Sequence, residues 1–127
     1  MATKVAVIGA GGMGSWFAQL FKSRGGSVVV SDRDQSKARR LASRIGAKYV
    51  SNNKEATRGS DIVILATPAH VLSSVVKEIL PALRRNALLF DVCAIKSAVI
   101  PALRSAERNG VQVASIHPMF GPLASGL

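Results

Sequence analysis

The 127-residue chain has room for a single domain, since domains typically hold about 100–150 residues. Its 48% of hydrophobic residues excludes a disordered chain, and no apolar run reaches the roughly 18 residues that a membrane span needs. The formal net charge of +10 favours anionic ligands, but the basic residues are scattered and have no interleaved aromatic set, so nucleic acid is not the predicted partner.

The first predicted elements surround a glycine-rich turn. A strand is predicted over Val5–Gly9 and a helix over Met13–Arg24, and the sequence between them has the G-x-G-x-x-G pattern of dinucleotide-binding folds. In this pattern the first glycine permits a tight turn, the second lets the backbone approach a pyrophosphate, and the third allows close packing of helix on strand. The residues predicted to bind the cofactor here are Gly9, Ala10, Gly11, Gly12, Met13 and Gly14.

The second predicted strand, Val28–Ser31, leads directly into Asp32, near the spacing of about 20 residues at which an acid binds the adenosine ribose. A carboxylate there disfavours a 2′-phosphate, so NAD is predicted over NADP, although Arg33 or Lys37 would suit NADP. In the alternative interpretation Asp32 only opens a turn, with Asp34 or Ser36 capping the next helix. The predicted cofactor site includes Ser31, Asp32 and Arg33.

Helices and strands continue to alternate through the rest of the chain. Continuous apolar strands separated by helices indicate an α/β protein with a doubly wound, mainly parallel Rossmann sheet of about six strands. The remaining predicted elements are helix Gln35–Ile45 ended by Gly46, strand Lys48–Val50, a helical turn Lys54–Arg58, strand Asp61–Thr67, helix Val71–Ile79, a short helical segment Pro81–Arg84, strand Leu88–Cys93, helix Ser97–Asn109 and strand Val111–Ile116.

Ligands of such sheets bind outside the carboxyl ends of the strands. Thr67 and Pro68 follow the fourth strand and are predicted to lie beside the nicotinamide half of the cofactor. His117 follows the sixth strand and is the predicted acid–base residue, because an imidazole titrates near neutrality. Cys93 has no evident base partner and is expected to be buried, and a single cysteine suits a reducing, cytoplasmic location. No metal site is predicted.

Two further segments identify a family. Asp91-Val-Cys-Ala-Ile-Lys96 is followed about twenty residues later by Ile116-His-Pro-Met-Phe-Gly-Pro122. Together with the glycine turn and the Asp-ended second strand, they resemble the nucleotide-binding domain of the prephenate/arogenate dehydrogenase family. The resemblance extends over essentially the whole chain, and the His-Pro-Met-Phe-Gly-Pro string is its most specific element.

The resemblance implies an NAD(P)-dependent oxidative decarboxylation of prephenate or arogenate, a step of tyrosine biosynthesis. His117 would take the proton of the substrate's ring hydroxyl as hydride leaves for the nicotinamide. Lys96 matches the family pattern Asp-x-x-Ser-x-Lys and is assigned with His117 to the catalytic residues. It is expected to bridge the strand end either to the backbone or to the substrate carboxylate, and in the alternative interpretation it is a solvated lysine at the start of a helix. Ala94 replaces the serine of that pattern, so Ser97 or a water substitutes, catalysis is weakened, or the chain is a divergent member.

The resemblance also implies a helical C-terminal domain that forms a homodimer and supplies an arginine to the substrate. The chain is therefore expected to be a fragment that binds cofactor and turns over little substrate. Two alternatives stay open from the sequence: another Rossmann dehydrogenase, such as one of the β-hydroxyacid type, and a non-catalytic module that binds nucleotides or nucleic acid.

Overall fold

A computed structural model describes residues 2–116, in which six strands alternate with five α-helices. The strands are β1 (Lys4–Ile8), β2 (Ser27–Ser31), β3 (Lys48–Tyr49), β4 (Ile62–Leu65), β5 (Leu88–Asp91) and β6 (Gln112–Ser115). The helices are α1 (Gly12–Ser23), α2 (Gln35–Ile45), α3 (Asn53–Thr57), α4 (Ala69–Ile79) and α5 (Lys96–Glu107), and a single 3₁₀ turn, Leu80–Ala82, follows α4.

The six strands form one sheet in the order β3-β2-β1-β4-β5-β6, and every neighbouring pair is parallel. The chain moves outward from β1 to β3 and then returns to place β4 on the other side of β1. This reversal is the topological switch point of a doubly wound sheet, where a crevice opens at the carboxyl ends of the strands. The predicted α/β Rossmann class is confirmed.

The sheet is buried on both faces because its strands alternate between two apolar layers. Val5 and Val7 of β1 join a core that includes Trp16 and Phe17 of α1 and Leu41 of α2. Their neighbours in β1, Ala6 and Ile8, point the other way, into a core built with α4 and α5. Covering both faces leaves the carboxyl edge of the sheet as the place where loops meet solvent.

Every predicted element is present, and the differences lie at the boundaries. The prediction for α2 agrees with the structure, and its end is marked by Gly46 at φ +74°. The predicted strands Asp61–Thr67 and Leu88–Cys93 were too long, since β4 ends at Leu65 and β5 ends at Asp91. In both cases apolar residues continue in the sequence after the strand has ended. These residues face the crevice, so they are apolar without belonging to the strand.

No helix within residues 2–116 is long and apolar enough to cross a membrane.

Candidate functional site

A groove of about 530 Å³ lies along the carboxyl ends of β1, β2, β4 and β5. Its walls come from the loops after these strands, and most of the predicted cofactor residues line it: Gly9, Gly11, Gly12, Met13, Asp32, Arg33, Thr67 and Pro68. The groove also has lining residues that were not assigned to the cofactor site from the sequence, including Asn53, Val71, Val75, Cys93 and Ile95. Its volume lies in the range of roughly 300–1,000 Å³ that is usual for small-molecule sites.

The glycine turn has the geometry that its spacing predicts. Gly9 has a φ of +109°, and a Cβ there would lie 2.5 Å from the carbonyl oxygen of Ala66. A Cβ on Gly14 would overlap the carbonyl oxygen of Gly9, so α1 packs directly on the turn. Gly11 differs from both, since a Cβ there would meet nothing within 4 Å. The space in front of Gly11 is therefore not used by the protein itself.

That space adjoins the N-terminus of α1. Gly11 is the N-cap residue and no side chain caps the helix, while the N–H groups of a first helical turn have no partner within the helix. Such N–H groups and the positive end of the helix dipole attract a phosphate. The groove thus offers a diphosphate the backbone N–H donors of the first turn of α1. Because Gly11 has no side chain, the diphosphate can approach these donors closely.

Asp32 lies at the rim of the groove and holds two loops. Its Oδ2 accepts a 2.6 Å hydrogen bond from the backbone N–H of Ala10, and its Oδ1 accepts one of 2.8 Å from that of Asp34. Asp34 in turn caps α2 by accepting from the N–H of Lys37, as the turn interpretation predicts. A carboxylate has about four acceptor positions, so Asp32 retains acceptor capacity for a ligand hydroxyl after making both bonds.

The structure does not place Ser31, Ala10 or Gly14 among the residues that line the groove. Ser31 is fully buried, and its hydroxyl donates a 2.7 Å hydrogen bond to Oδ1 of Asn53. Its carbonyl oxygen accepts the N–H of Gly9 at 2.8 Å. Cofactor binding by these three residues stays a prediction, and within the described structure Ser31 and Gly14 act on the groove by fixing its backbone, as does the Ala10 N–H through Asp32.

The opposite wall is formed after β4 and β5. The hydroxyl oxygen of Thr67 is buried in the groove wall and has no hydrogen-bond partner within the described part of the chain. Such a group is normally satisfied, so it is an acceptor and donor available to a ligand. Cys93 was expected to be buried, but it is half-buried and lines the groove because β5 ends before it.

Lys96, the first residue of α5, joins the start of this helix to the end of β5 and to the backbone after β6. Its Nζ lies 3.1 Å from Oδ2 of Asp91 and donates a 2.7 Å hydrogen bond to the carbonyl oxygen of Ile116. Asp91 is fully buried, and the same Oδ2 accepts the N–H of Cys93 at 2.8 Å. Lys96 therefore bridges the end of β5 to the backbone just beyond β6, one of the roles predicted for it.

Removing this cation leaves a buried carboxylate without its charge partner. We expect Lys96→Met to lower the free energy of unfolding by about 3 kcal/mol, the usual cost of breaking a buried ion pair from one side. The effect is increased because Oδ1 of Asp91 has no partner within residues 2–116. Urea denaturation followed by circular dichroism measures the change. Lys96→Arg should lose much less, and Asp91→Asn combined with Lys96→Met should recover most of the loss. A Lys96→Met variant as stable as the parent would contradict the assignment.

His117 lies outside the described residues, directly after Ile116, so its predicted role stays a prediction. Within the described part of the chain, no three His, Cys, Asp or Glu side chains are grouped as a metal site would require.

Comparisons with known proteins indicate a nucleotide-binding domain, as the geometry of the groove does. The family profile described as "Prephenate dehydrogenase, nucleotide-binding domain" matches residues 17–127, which is most of the chain. The chain belongs to the prephenate dehydrogenase family. The matched region starts after the glycine turn, so the profile and the Gly9–Gly14 geometry are separate observations that indicate the same nucleotide-binding domain. The predicted family is confirmed.

Curated relatives of the prephenate dehydrogenase family are longer than this chain. The "Probable arogenate/prephenate dehydrogenase" of Methanocaldococcus jannaschii is 39% identical over 94% of the chain and 27% of that protein. The "Cyclohexadienyl dehydrogenase" of Zymomonas mobilis is 30% identical over 96% of the chain and 42% of that protein. The chain therefore spans less than half the length of these relatives.

Among solved structures, the 3-hydroxyisobutyrate dehydrogenase of Mycobacterium tuberculosis is similar to 96% of the chain with a TM-score of 0.88. The chain covers 42% of that protein at 23% sequence identity. At this identity the similarity shows the Rossmann fold and no shared substrate.

Proposed function

We propose that the groove binds a nicotinamide adenine dinucleotide, with its diphosphate at the start of α1 and its adenosine ribose at Asp32. The observation that carries this proposal is the contrast within the glycine turn. Gly9 and Gly14 are required by the protein's own packing, whereas Gly11 faces open space in front of the helix N-terminus. A bound dinucleotide explains why Gly11, the second glycine of the pattern, also lacks a side chain. The buried, unpartnered hydroxyl of Thr67 supports placing the other half of the ligand along the opposite wall.

NAD is the proposed form of the cofactor. The Asp32 carboxylate lies at the rim of the groove and would repel a 2′-phosphate while accepting hydrogen bonds from free ribose hydroxyls. Arg33 and Lys37 also line the groove and are exposed. Their positive charges would suit the 2′-phosphate of NADP, and within the described part of the groove these two residues are what favours that cofactor. The hydrogen bonds from the backbone N–H groups of Ala10 and Asp34 hold the Asp32 carboxylate in place. Its negative charge therefore stays at the rim of the groove, and we expect this charge to decide the preference for NAD over NADP.

Within the longer enzyme, we propose that this domain takes part in the oxidative decarboxylation of prephenate or arogenate. The nicotinamide supplies a hydride acceptor when bound. An imidazole nitrogen of His117 takes the proton from the ring hydroxyl of the substrate, which stabilises the charge that develops on that oxygen. Lys96 donates a hydrogen bond to the carbonyl oxygen of Ile116, the residue that precedes His117 in the sequence. Its proposed role is positioning.

The remainder of the proposed enzyme follows the family. A helical domain beyond this chain would supply the substrate arginine and the homodimer contacts, and the substrate is a small molecule rather than a nucleic acid or a membrane. A cytoplasmic location is proposed because the proposed substrate is a small molecule and no membrane partner is proposed.

The cofactor assignment is tested by Asp32→Ala in the 127-residue chain. We expect the affinity for NAD⁺ to fall about tenfold, the effect of about 1.4 kcal/mol, because the ribose hydroxyls lose a charged acceptor and the glycine turn loses the bond to Ala10. The affinity for NADP⁺ should change little or rise, so the gap between the two cofactors narrows. Isothermal titration calorimetry with both cofactors measures this.

The matched control is Asp34→Ala. It removes the same charge two residues away, together with the cap on α2, but Asp34 does not line the groove. We expect it to leave the ratio of the two affinities nearly unchanged. Unaltered selectivity in Asp32→Ala, or an equal change in both variants, would remove the argument for NAD.

A further inference from the structure

A second depression of about 340 Å³ opens from the side of the groove and has not been given a role above. It shares five lining residues with the groove, namely Asp32, Arg33, Asn53, Val71 and Val75. Beyond these it is polar, and its far wall carries Glu78 of α4. The depression is therefore a side branch of the groove that begins at the proposed ribose acid.

Hydrogen bonds fix the two polar groups of this branch. Glu78 Oε1 is a pure acceptor, so the end of the Asn53 amide that lies 3.1 Å from it is the amino group. The amide oxygen of Asn53 then faces Ser31, whose buried hydroxyl donates to it at 2.7 Å. The chain from Ser31 through Asn53 to Glu78 thus sets the direction of the amide.

Each group keeps one hydrogen-bonding position for a ligand. Asn53 Nδ2 has a second N–H, and the Glu78 carboxylate has a second oxygen on an exposed side chain. A donor and an acceptor therefore lie side by side. The walls beside them are suited to a flat ring, since Val71 and Val75 are apolar and the guanidinium of Arg33 can stack on an aromatic face.

We propose that Glu78 and Asn53 form the adenine-reading element of the site and select a 6-amino purine. The amino group at C6 of adenine donates to the free oxygen of Glu78, and N7, the ring nitrogen on the imidazole side of C6, accepts from Asn53 Nδ2. A 6-oxo purine presents a carbonyl oxygen to the carboxylate instead, which leaves two acceptors facing each other. This inference rests on the proposed dinucleotide function, because the base reaches the branch only when its ribose lies at Asp32.

The test compares NAD⁺ with nicotinamide hypoxanthine dinucleotide, in which a carbonyl oxygen replaces the C6 amino group and N1 carries a proton, while N7 is unchanged. Calorimetry on the 127-residue chain should show the hypoxanthine analogue binding about tenfold more weakly. In Glu78→Gln the new amide can donate to the C6 oxygen, so the preference should fall to within about twofold or reverse, chiefly because the analogue gains affinity.

The control variant is Glu107→Gln, which removes the same charge from an exposed glutamate of α5 outside the groove and its branch. It should keep the tenfold preference of the parent. Equal binding of the two dinucleotides by the parent chain, or the same loss of preference in Glu107→Gln, would overturn the role of Glu78 while leaving the dinucleotide function intact. Failure of the parent to bind either dinucleotide would overturn both.

Discussion

The Gly14→Ala and Gly11→Ala variants are expected to fail in different ways. In Gly14→Ala the new methyl group overlaps the carbonyl oxygen of Gly9, so α1 must move away from the turn. We expect a loss of about 3 kcal/mol in the free energy of unfolding, since rigid backbone cannot yield as a side chain would. In Gly11→Ala the methyl group meets nothing of the protein, so the loss should be at most about 1 kcal/mol. Its NAD⁺ affinity should nevertheless fall roughly 100-fold, about 2.7 kcal/mol, because the methyl group occupies the approach of the diphosphate.

Urea denaturation measures the first property and calorimetry the second, so the two glycines serve as controls for each other. A Gly11→Ala variant that is folded and binds NAD⁺ like the parent would mean that the diphosphate lies elsewhere. A Gly14→Ala variant with unchanged stability would mean that α1 does not pack on the turn as the structure shows.

The fold was predictable because local signals and the sheet pattern agree. The glycine spacing between a strand and a helix, the αL glycine after α2 and the apolar strands each specify their element by short-range chemistry. Strand ends were less predictable. The sequence from Ile62 to Ala66 is continuously apolar, yet β4 stops at Leu65, because an apolar residue that lines a groove cannot be distinguished from one that lines a core. The same ambiguity explains the expectation that Cys93 is buried.

The candidate site was predictable where the position of a single residue in the sequence indicates its role. Asp32 was located from its distance along the chain to the glycine motif. Its bond to the N–H of Ala10 joins residues 22 apart and has no sequence pattern of its own. Asn53 and Glu78 were missed for the same reason, since their partners come from other elements and an exposed glutamate on a helix resembles any solvated surface residue.

Two aspartates at the carboxyl edge share one local structure. Asp32 and Asp91 each follow or end a buried strand, and each accepts the N–H two residues later at 2.8 Å. This Asx turn directs the chain out of the sheet. The other bonds of the two carboxylates differ: Asp32 holds the glycine turn, and Asp91 holds Lys96 and through it Ile116. The same residue type therefore orders the proposed cofactor half and the proposed substrate half of the edge.

In the complete enzyme, we expect His117→Asn to lower turnover by about 10²–10⁴-fold while changing cofactor affinity by less than about twofold. The amide keeps hydrogen-bonding groups near the substrate hydroxyl but cannot accept its proton. Steady-state kinetics with prephenate and with arogenate, together with calorimetry of NAD⁺ binding, separate the two effects. The parent's rate should also fall as the pH is lowered, because a protonated imidazole cannot act as a base. That dependence should be absent in the variant.

Lys96→Arg and Ala94→Ser decide how this histidine is supported. If Lys96 positions His117 through the carbonyl of Ile116, Lys96→Arg should keep the pH dependence of the parent with a reduced rate, because a cation still reaches Asp91 and the carbonyl. Ala94 is exposed on the groove wall, so a serine there adds a hydroxyl without displacing packed atoms. A rise in turnover for Ala94→Ser that depends on His117 would show that the missing hydroxyl limits this chain.

Equal losses of turnover and cofactor affinity in His117→Asn would instead make the histidine structural, and the positioning role of Lys96 would no longer hold.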